Sequence, residues 1–197
     1  MSSSAAYGAT NSSMDDEDKY ARHQRACCVR YGNTRVLCAA SGAHHFPLMW
    51  HIGPNWLCML VTYAISLGPL AFFFMKDDVV LALRVALLVS VVATTCAFTM
   101  VACSDPGVVF ESCEPPATLQ VGDAELGVIC AQCQIRRPYD ASHCSDCGVC
   151  IAQLDHHCPW TGKCIGGRTL RWFYVFLACV SVHVVLVGVT AATSYLT

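Results

Sequence analysis

The sequence predicts an α-helical polytopic membrane protein: three transmembrane helices, with a cytosolic cysteine-rich domain stabilised by two zinc ions between the second and the third. Two observations carry that prediction. Of 197 residues, 55% are hydrophobic and 13% charged, and the mean hydropathy is +0.46, too apolar for an ordinary water-soluble domain. Between Cys130 and Cys164, seven cysteines and three histidines fall within 35 residues, at spacings that suit tetrahedral zinc.

Residues 1–45 read as a cytosolic N-terminal tail, partly disordered. The first residues are polar and lead to the acidic run Asp15, Asp16, Glu17, Asp18, so no secretory signal is apparent. Cys27 and Cys28 stand side by side in this tail, where reversible acylation is plausible chemistry. Residues 46–103 hold the first two spans. Residues 56–75 are 20 residues without a charge, which at about 1.5 Å of rise each just cross a hydrocarbon core of about 30 Å. Gly68-Pro69 lies inside that span, a pair that membrane helices tolerate. After Lys76-Asp77-Asp78, residues 79–103 are apolar apart from Arg84, near enough to the end to snorkel. Asp105-Pro106-Gly107 stops the second helix and opens the cysteine-rich domain, residues 104–171. Residues 172–197 make the third span. Its one ionisable residue, His183, reads as a neutral imidazole bonded to a neighbouring helix or sitting in a wet cavity, with a functional place in the lining of an internal cavity as the alternative.

Lys and Arg number five before the first span, two from Lys76 to Arg84, and five between the second and third spans. The balance places both flanks in the cytosol, where reduced thiols persist. A net charge of −2, with no basic stripe, gives no case for nucleic-acid binding. The cysteines outside the cluster read as small buried or tail residues rather than as a disulfide framework.

Within the cluster, a Cys-x2-Cys pair, a His-Cys-x2-Cys-x2-Cys run and a His-x6-Cys unit supply ten candidate ligands, and two closed tetrahedral sites take eight. One thiol and one imidazole are left over. With a carboxylate beside them they are the minimum set for a cysteine nucleophile, and Asp155-His156-His157-Cys158 is the place for it. Counting alone does not say which histidine and which cysteine are spare. RING-type interaction domains also use eight ligands in two sites, but in a different order and without an Asp-His-His-Cys block.

These residues are the ones by which the chain resembles the DHHC family of protein S-acyltransferases, the palmitoyltransferases. The resemblance runs from Ser104 to Phe176. It rests on Asp105-Pro106-Gly107, Cys130-x2-Cys133, Arg137-Pro138, His143-Cys144-x2-Cys147-x2-Cys150, Asp155-His156-His157-Cys158-Pro159-Trp160 and Cys164-Ile165-Gly166. It implies two interleaved structural zinc sites, Cys130, Cys133, His143 and Cys150 in one and Cys144, Cys147, His157 and Cys164 in the other. It implies a ping-pong cycle in which Cys158 takes a long-chain acyl group from palmitoyl-CoA and passes it to cysteines of membrane-associated substrate proteins. By the same resemblance, His156 is expected to accept the thiol proton and Asp155 to orient His156.

A C16 chain gains about 0.8 kcal/mol per buried methylene, so the cysteine is expected at the bilayer interface, with Trp160 as an interfacial aromatic. Arg136, Arg137, Lys163, Arg168 and Arg171 are candidates for the CoA phosphates or for anionic lipid heads. The expected location is an endomembrane, Golgi or ER, or the plasma membrane. Family members carry a fourth helix and a Thr-Thr-x-Glu tail, so the chain reads as truncated after its third helix, and Gly162, Lys163, Asp140 and Thr169 depart from common family residues. A catalytically weak, zinc-stabilised membrane interaction module or fragment is therefore the alternative, and a small zinc-bearing transporter or channel subunit a third reading.

Overall fold

The computed structural model describes residues 29–38, 50–74, 76, 79–109 and 127–196. The acidic run, Cys27 and Cys28 lie outside the described residues. Three helices dominate: α1 (Trp56–Phe74), α2 (Leu81–Cys103) and α3 (Leu170–Leu196), each long and apolar enough to cross a membrane. At about 1.5 Å per residue they measure roughly 28, 34 and 40 Å, so α3 is longer than a hydrocarbon core of about 30 Å.

Helix α2 is central. Its buried residues Leu87, Ser90, Val91, Thr94, Ala97, Phe98, Val101 and Ala102 recur at three- and four-residue steps, the period of one helical face. Helices α1 and α3 expose most of their apolar surface, as lipid-facing walls do. Pro69 sits inside an unbroken α1. The one charged side chain of α2, Arg84, bends back to donate to the carbonyls of Val79 (2.9 Å) and Lys76, as snorkelling toward the helix start requires. His183 in α3 is 3% exposed and meets Ser90 Oγ of α2 at 3.0 Å through Nδ1, so the neighbouring-helix reading describes its surroundings.

The remaining elements are short antiparallel pairs. Strands β1 (Val29–Tyr31), β2 (Thr34–Cys38) and β3 (Trp50–Ile52) form a three-stranded sheet ahead of α1. The sequence assigns residues 29–38 to a tail; they instead form a hairpin against the cysteine-rich domain. Asn33 donates its backbone N–H to the Cys147 carbonyl (2.8 Å) and its side-chain amide to that of Asp146 (3.0 Å). A Cβ on Gly32 would stand 2.5 Å from the Gly148 oxygen, so only glycine permits this approach.

The cysteine-rich domain is three hairpins: β4 (Val128–Cys130) with β5 (Ile135–Arg137), β6 (Ala141–Cys144) with β7 (Val149–Ala152), and β8 (His156–Cys158) with β9 (Lys163–Ile165). A 3-10 turn, Pro159–Thr161, closes the last, and Gly162 leaves it at φ +86°, a left-handed step that suits glycine. Apolar contacts are few here: Val108, Val149 and Ile151 are buried with cysteines and joined by Tyr31 and Leu154. A core this small needs a second source of stability.

The domain seats on the end of the bundle where α1 begins, α2 ends and α3 begins. Thr62 of α1 donates to the Trp160 carbonyl (2.9 Å), and Asn55 N–H to that of Gly162 (3.1 Å). After α2, Asp105 is 6% exposed; its Oδ1 accepts from the N–H groups of Gly107 (3.0 Å) and Val108 (2.9 Å), and its Oδ2 from Arg168 (2.5 Å) just before α3. The sheet and the cysteine-rich domain thus lie on one side of the bundle, and Lys76 lies at the other end, its ammonium 5.6 Å from the Phe72 ring and 5.4 Å from Tyr195.

Candidate active site and metal clusters

Strand alternation explains how ten ligand-type residues sort themselves. In β6–β7, His143 pairs with Cys150 and Cys144 with Val149. Neighbours along a strand point to opposite faces, so His143 and Cys144, adjacent in sequence, turn to different clusters. One cluster gathers Cys130 and Cys133 from the β4–β5 hairpin with the cross-strand pair His143 and Cys150. The other gathers Cys144 and Cys147 from the β6–β7 turn with the cross-strand pair His157 and Cys164. These are the same two sets of four that the family resemblance implies.

Within each set the donor atoms all lie within 4.8 Å of one another. His143 Nδ1 is 3.2 Å from Cys133 Sγ and 3.6 Å from Cys130 Sγ; His157 Nδ1 is 3.4 Å from Cys147 Sγ and 3.5 Å from both Cys144 Sγ and Cys164 Sγ. Thiols so close divide protons unevenly. A hydrogen bond from Cys164 draws the Cys147 thiol down to about 6 and sends that of Cys164 upward, while burial, helped by Cys130 and Cys133, pushes Cys150 up to about 12. A divalent cation held by such a set would resolve this competition by keeping all three of its cysteines as thiolates. Three thiolates and an imidazole suit tetrahedral zinc, and a closed set of four leaves no position for a substrate.

His157 is fixed from behind. Its Nε2 meets Asn55 Oδ1 at 2.8 Å, which sets Nδ1 as the ligand nitrogen and ties the second cluster to the start of α1. The sequence reading does not find Asn55, because nothing local marks a polar residue ahead of a span as the partner of a histidine a hundred positions on.

The residues left outside both sets are His156 and Cys158. In the β8–β9 register His156 faces Ile165, His157 faces Cys164 and Cys158 faces Lys163. His157 and Cys164 therefore leave the hairpin on the metal side, and His156 and Cys158 leave it on the other. Cys158 packs, half-buried, against the cluster of Met59, Phe98, Ile165 and Phe176 at the end of the helix bundle. Asp155 Oδ2 stands 2.7 Å from His156 Nδ1, and the Phe173 ring lies 5.3 Å from the imidazole. Both side chains are about half exposed, at 46% and 42%. With Nδ1 bonded to the carboxylate, Nε2 is left as the basic nitrogen.

The five expected phosphate-binding cations do not form one group. Arg168 is spent on Asp105. Arg171, at the start of α3, lies 5.7 Å over the Trp172 ring. Arg136 and Arg137 sit on β5, in a different hairpin, with Arg136 reaching the Gly127 carbonyl at 3.5 Å. Lys163 is 0% exposed and points inward, donating to the carbonyls of His51 (2.8 Å) and Ser104; burial lowers its ammonium to about 8. An ammonium so placed is out of reach of a solvent-borne phosphate. Trp160 is 60% exposed on the 3-10 turn beside α1.

Residues 124–197 match the family described as DHHC palmitoyltransferase. Palmitoyltransferase ZDHHC8 of Drosophila melanogaster is 34% identical over 141 residues, which cover 65% of this chain and 15% of that protein. Palmitoyltransferase ZDHHC18 of Mus musculus is 30% identical over 168 residues, covering 65% and 44%. Palmitoyltransferase ZDHHC14 of Mus musculus is 47% identical over 70 residues, covering 34% and 14%. The chain spans less than half the length of each of these curated relatives.

Proposed function

We propose that this chain is a protein S-acyltransferase whose nucleophile is Cys158, a reading supported by the match of residues 124–197 to the DHHC palmitoyltransferase family. The observation that carries the proposal is the sorting of β8: the strand gives His157 to a metal cluster and turns His156 and Cys158 together to the apolar end of the bundle, with Asp155 bonded to His156.

The chemistry follows from those side chains. His156 Nε2 accepts the Cys158 proton, and Asp155 holds the ring and stabilises the imidazolium. The thiolate sulfur attacks the thioester carbonyl of a long-chain acyl-CoA; the carbon–sulfur bond to CoA breaks, and CoA leaves as a thiol with the proton from His156. A cysteine of a substrate protein, its proton taken by His156, then attacks the new thioester carbonyl; the bond to the Cys158 sulfur breaks and Cys158 is released as a thiol with that proton, giving a ping-pong cycle that begins and ends with a thioester and is therefore close to neutral in energy. Membrane-associated proteins with juxtamembrane cysteines are the substrates that such a site reaches.

Two zinc ions, one in each cluster, supply folding energy. Free thiols throughout the described residues fit a reducing, cytosolic compartment, with the bilayer around α1 to α3.

The test is autoacylation of the purified 197-residue chain by labelled palmitoyl-CoA, beside Cys158→Ser. Label that neutral hydroxylamine releases, and that Cys158→Ser lacks, is the expected result. A chain that holds its zinc but takes no label would instead be an interaction module.

A further inference from the structure

Lys163 is 0% exposed, and the register of the last hairpin sets it directly across from the proposed nucleophile, Cys158. Side chains of paired residues share a face, so Cys158, Lys163, His156 and Ile165 leave the hairpin on the side of the helix bundle, although the buried Lys163 ammonium still lies close enough to Cys147 and Cys164 to feel their charge. Cys158 and Ile165 rest on the apolar residues there. Lys163 goes further, and its ammonium donates to two backbone carbonyls. One belongs to His51, at 2.8 Å, in the strand ahead of α1; the other belongs to Ser104, the residue that ends α2. Three separate pieces of chain meet at one nitrogen: the hairpin that carries Cys158, the entry to the first span and the exit from the second.

We propose that Lys163 is a positioning residue for Cys158, an internal tie that fixes the height of the nucleophile relative to the membrane helices. The proposal rests on the acyltransferase reading. A buried ammonium is costly to desolvate and is kept where its bonds determine a unique arrangement. One carbonyl lies in the strand that leads into α1 and the other caps α2, so the tie sets the hairpin against the membrane helices and not merely against the rest of the cysteine-rich domain. With the nitrogen committed to these oxygens, Lys163 acts on Cys158 through the backbone of the hairpin and not through its charge. Losing the tie leaves the thiol, its histidine and both metal clusters in place, but frees the β8–β9 hairpin to shift by the ångström or so that separates a productive long-chain encounter from an unproductive one.

The full chain, solubilised with lipid, is compared with Lys163→Met, which keeps the stem and removes the donor, and with Lys163→Asn, whose side chain is too short to reach both carbonyls. Zinc content is expected to stay unchanged. Amide hydrogen exchange in residues 156–165 and 104–108 is expected to quicken on the order of tenfold in both variants as local opening becomes easier. Acylation of Cys158 from palmitoyl-CoA is expected to fall on the order of tenfold to a hundredfold, and from butyryl-CoA by much less, since a short chain does not need the bilayer register. Unchanged exchange overturns the proposal, as does loss of zinc in both variants or an equal loss with both acyl donors. Should the wild-type chain take no acyl group at all, the acyltransferase reading fails, and the exchange measurement still decides whether Lys163 is a tie.

Discussion

His156 has two neighbours that fix what it can do, the Asp155 carboxylate at 2.7 Å and the Phe173 ring. The carboxylate sets the tautomer and the ring limits rotation, so replacement of His156 by alanine is expected to slow acylation of Cys158 by about 10²- to 10⁴-fold, the usual range for a lost general base. Asp155→Asn should slow it less, leaving the base present but poorly oriented; single-turnover labelling measures both. A second residue-scale prediction concerns His51, which is 2% exposed. Burial, with the Lys163 ammonium adding to it and Asp105 opposing, pushes its imidazole down to about 3. The unfolded chain takes up a proton near pH 6.5 that the folded chain refuses until about pH 3. Stability is therefore lost as pH falls through that window, by about 1 kcal/mol between pH 6.5 and 5.5. His51→Phe should remove that share of the pH dependence of the melting temperature, and an unchanged dependence would contradict the assignment. At this scale the sequence is legible where chemistry is contiguous: Asp155, His156 and Cys158 stand in one short block. Lys163 is not, because a lysine read alone suggests a phosphate ligand, and only the pairing of β9 with β8 and the ends of two helices shows where its nitrogen goes.

At the scale of elements, the three helices and the three hairpins that carry the candidate metal ligands differ in what can hold them together. Helix boundaries are written in runs of uncharged residues and fall within about two residues of the expected spans at most ends, because lipid admits few other structures. Strands of three or four residues have too short a period to be read, so the hairpins become visible only through their ligands. Chelation should accordingly abolish the protection of residues 128–165 from exchange or proteolysis and leave the helical circular dichroism of α1, α2 and α3 largely intact. Asn55→Ala should lower the affinity of the second cluster for zinc by about 10- to 100-fold, since it removes the partner that orients His157, and leave the first cluster unaffected; titration with a competing chelator reads both sites. Equal weakening of the two clusters would mean that Asn55 acts on the fold as a whole.

For the whole molecule, the cysteine-rich domain and the sheet of β1, β2 and β3 share one end of the bundle, and Lys76 marks the other. In sealed vesicles an impermeant amine reagent should therefore reach Lys76 only from the side opposite to that from which a protease cuts the cysteine-rich domain. The N-terminal hairpin was not legible as part of this assembly, because its contacts, Asn33 to the carbonyls of Asp146 and Cys147 and Gly32 to Gly148, join positions more than a hundred residues apart. Sequence order alone reads it as a tail, and only the folded cysteine-rich domain gives it a surface to close on. The central claim is that this architecture brings one thiol out of the metal clusters and delivers it to the membrane interface. The most direct measurement is intact and peptide-level mass spectrometry of the zinc-loaded chain after brief exposure to palmitoyl-CoA. The prediction is a single thioester-linked palmitoyl group, on the peptide containing Cys158 and absent from Cys158→Ser. Palmitate spread over Cys58, Cys96 and Cys179, or found on a cysteine of either metal cluster, would contradict it.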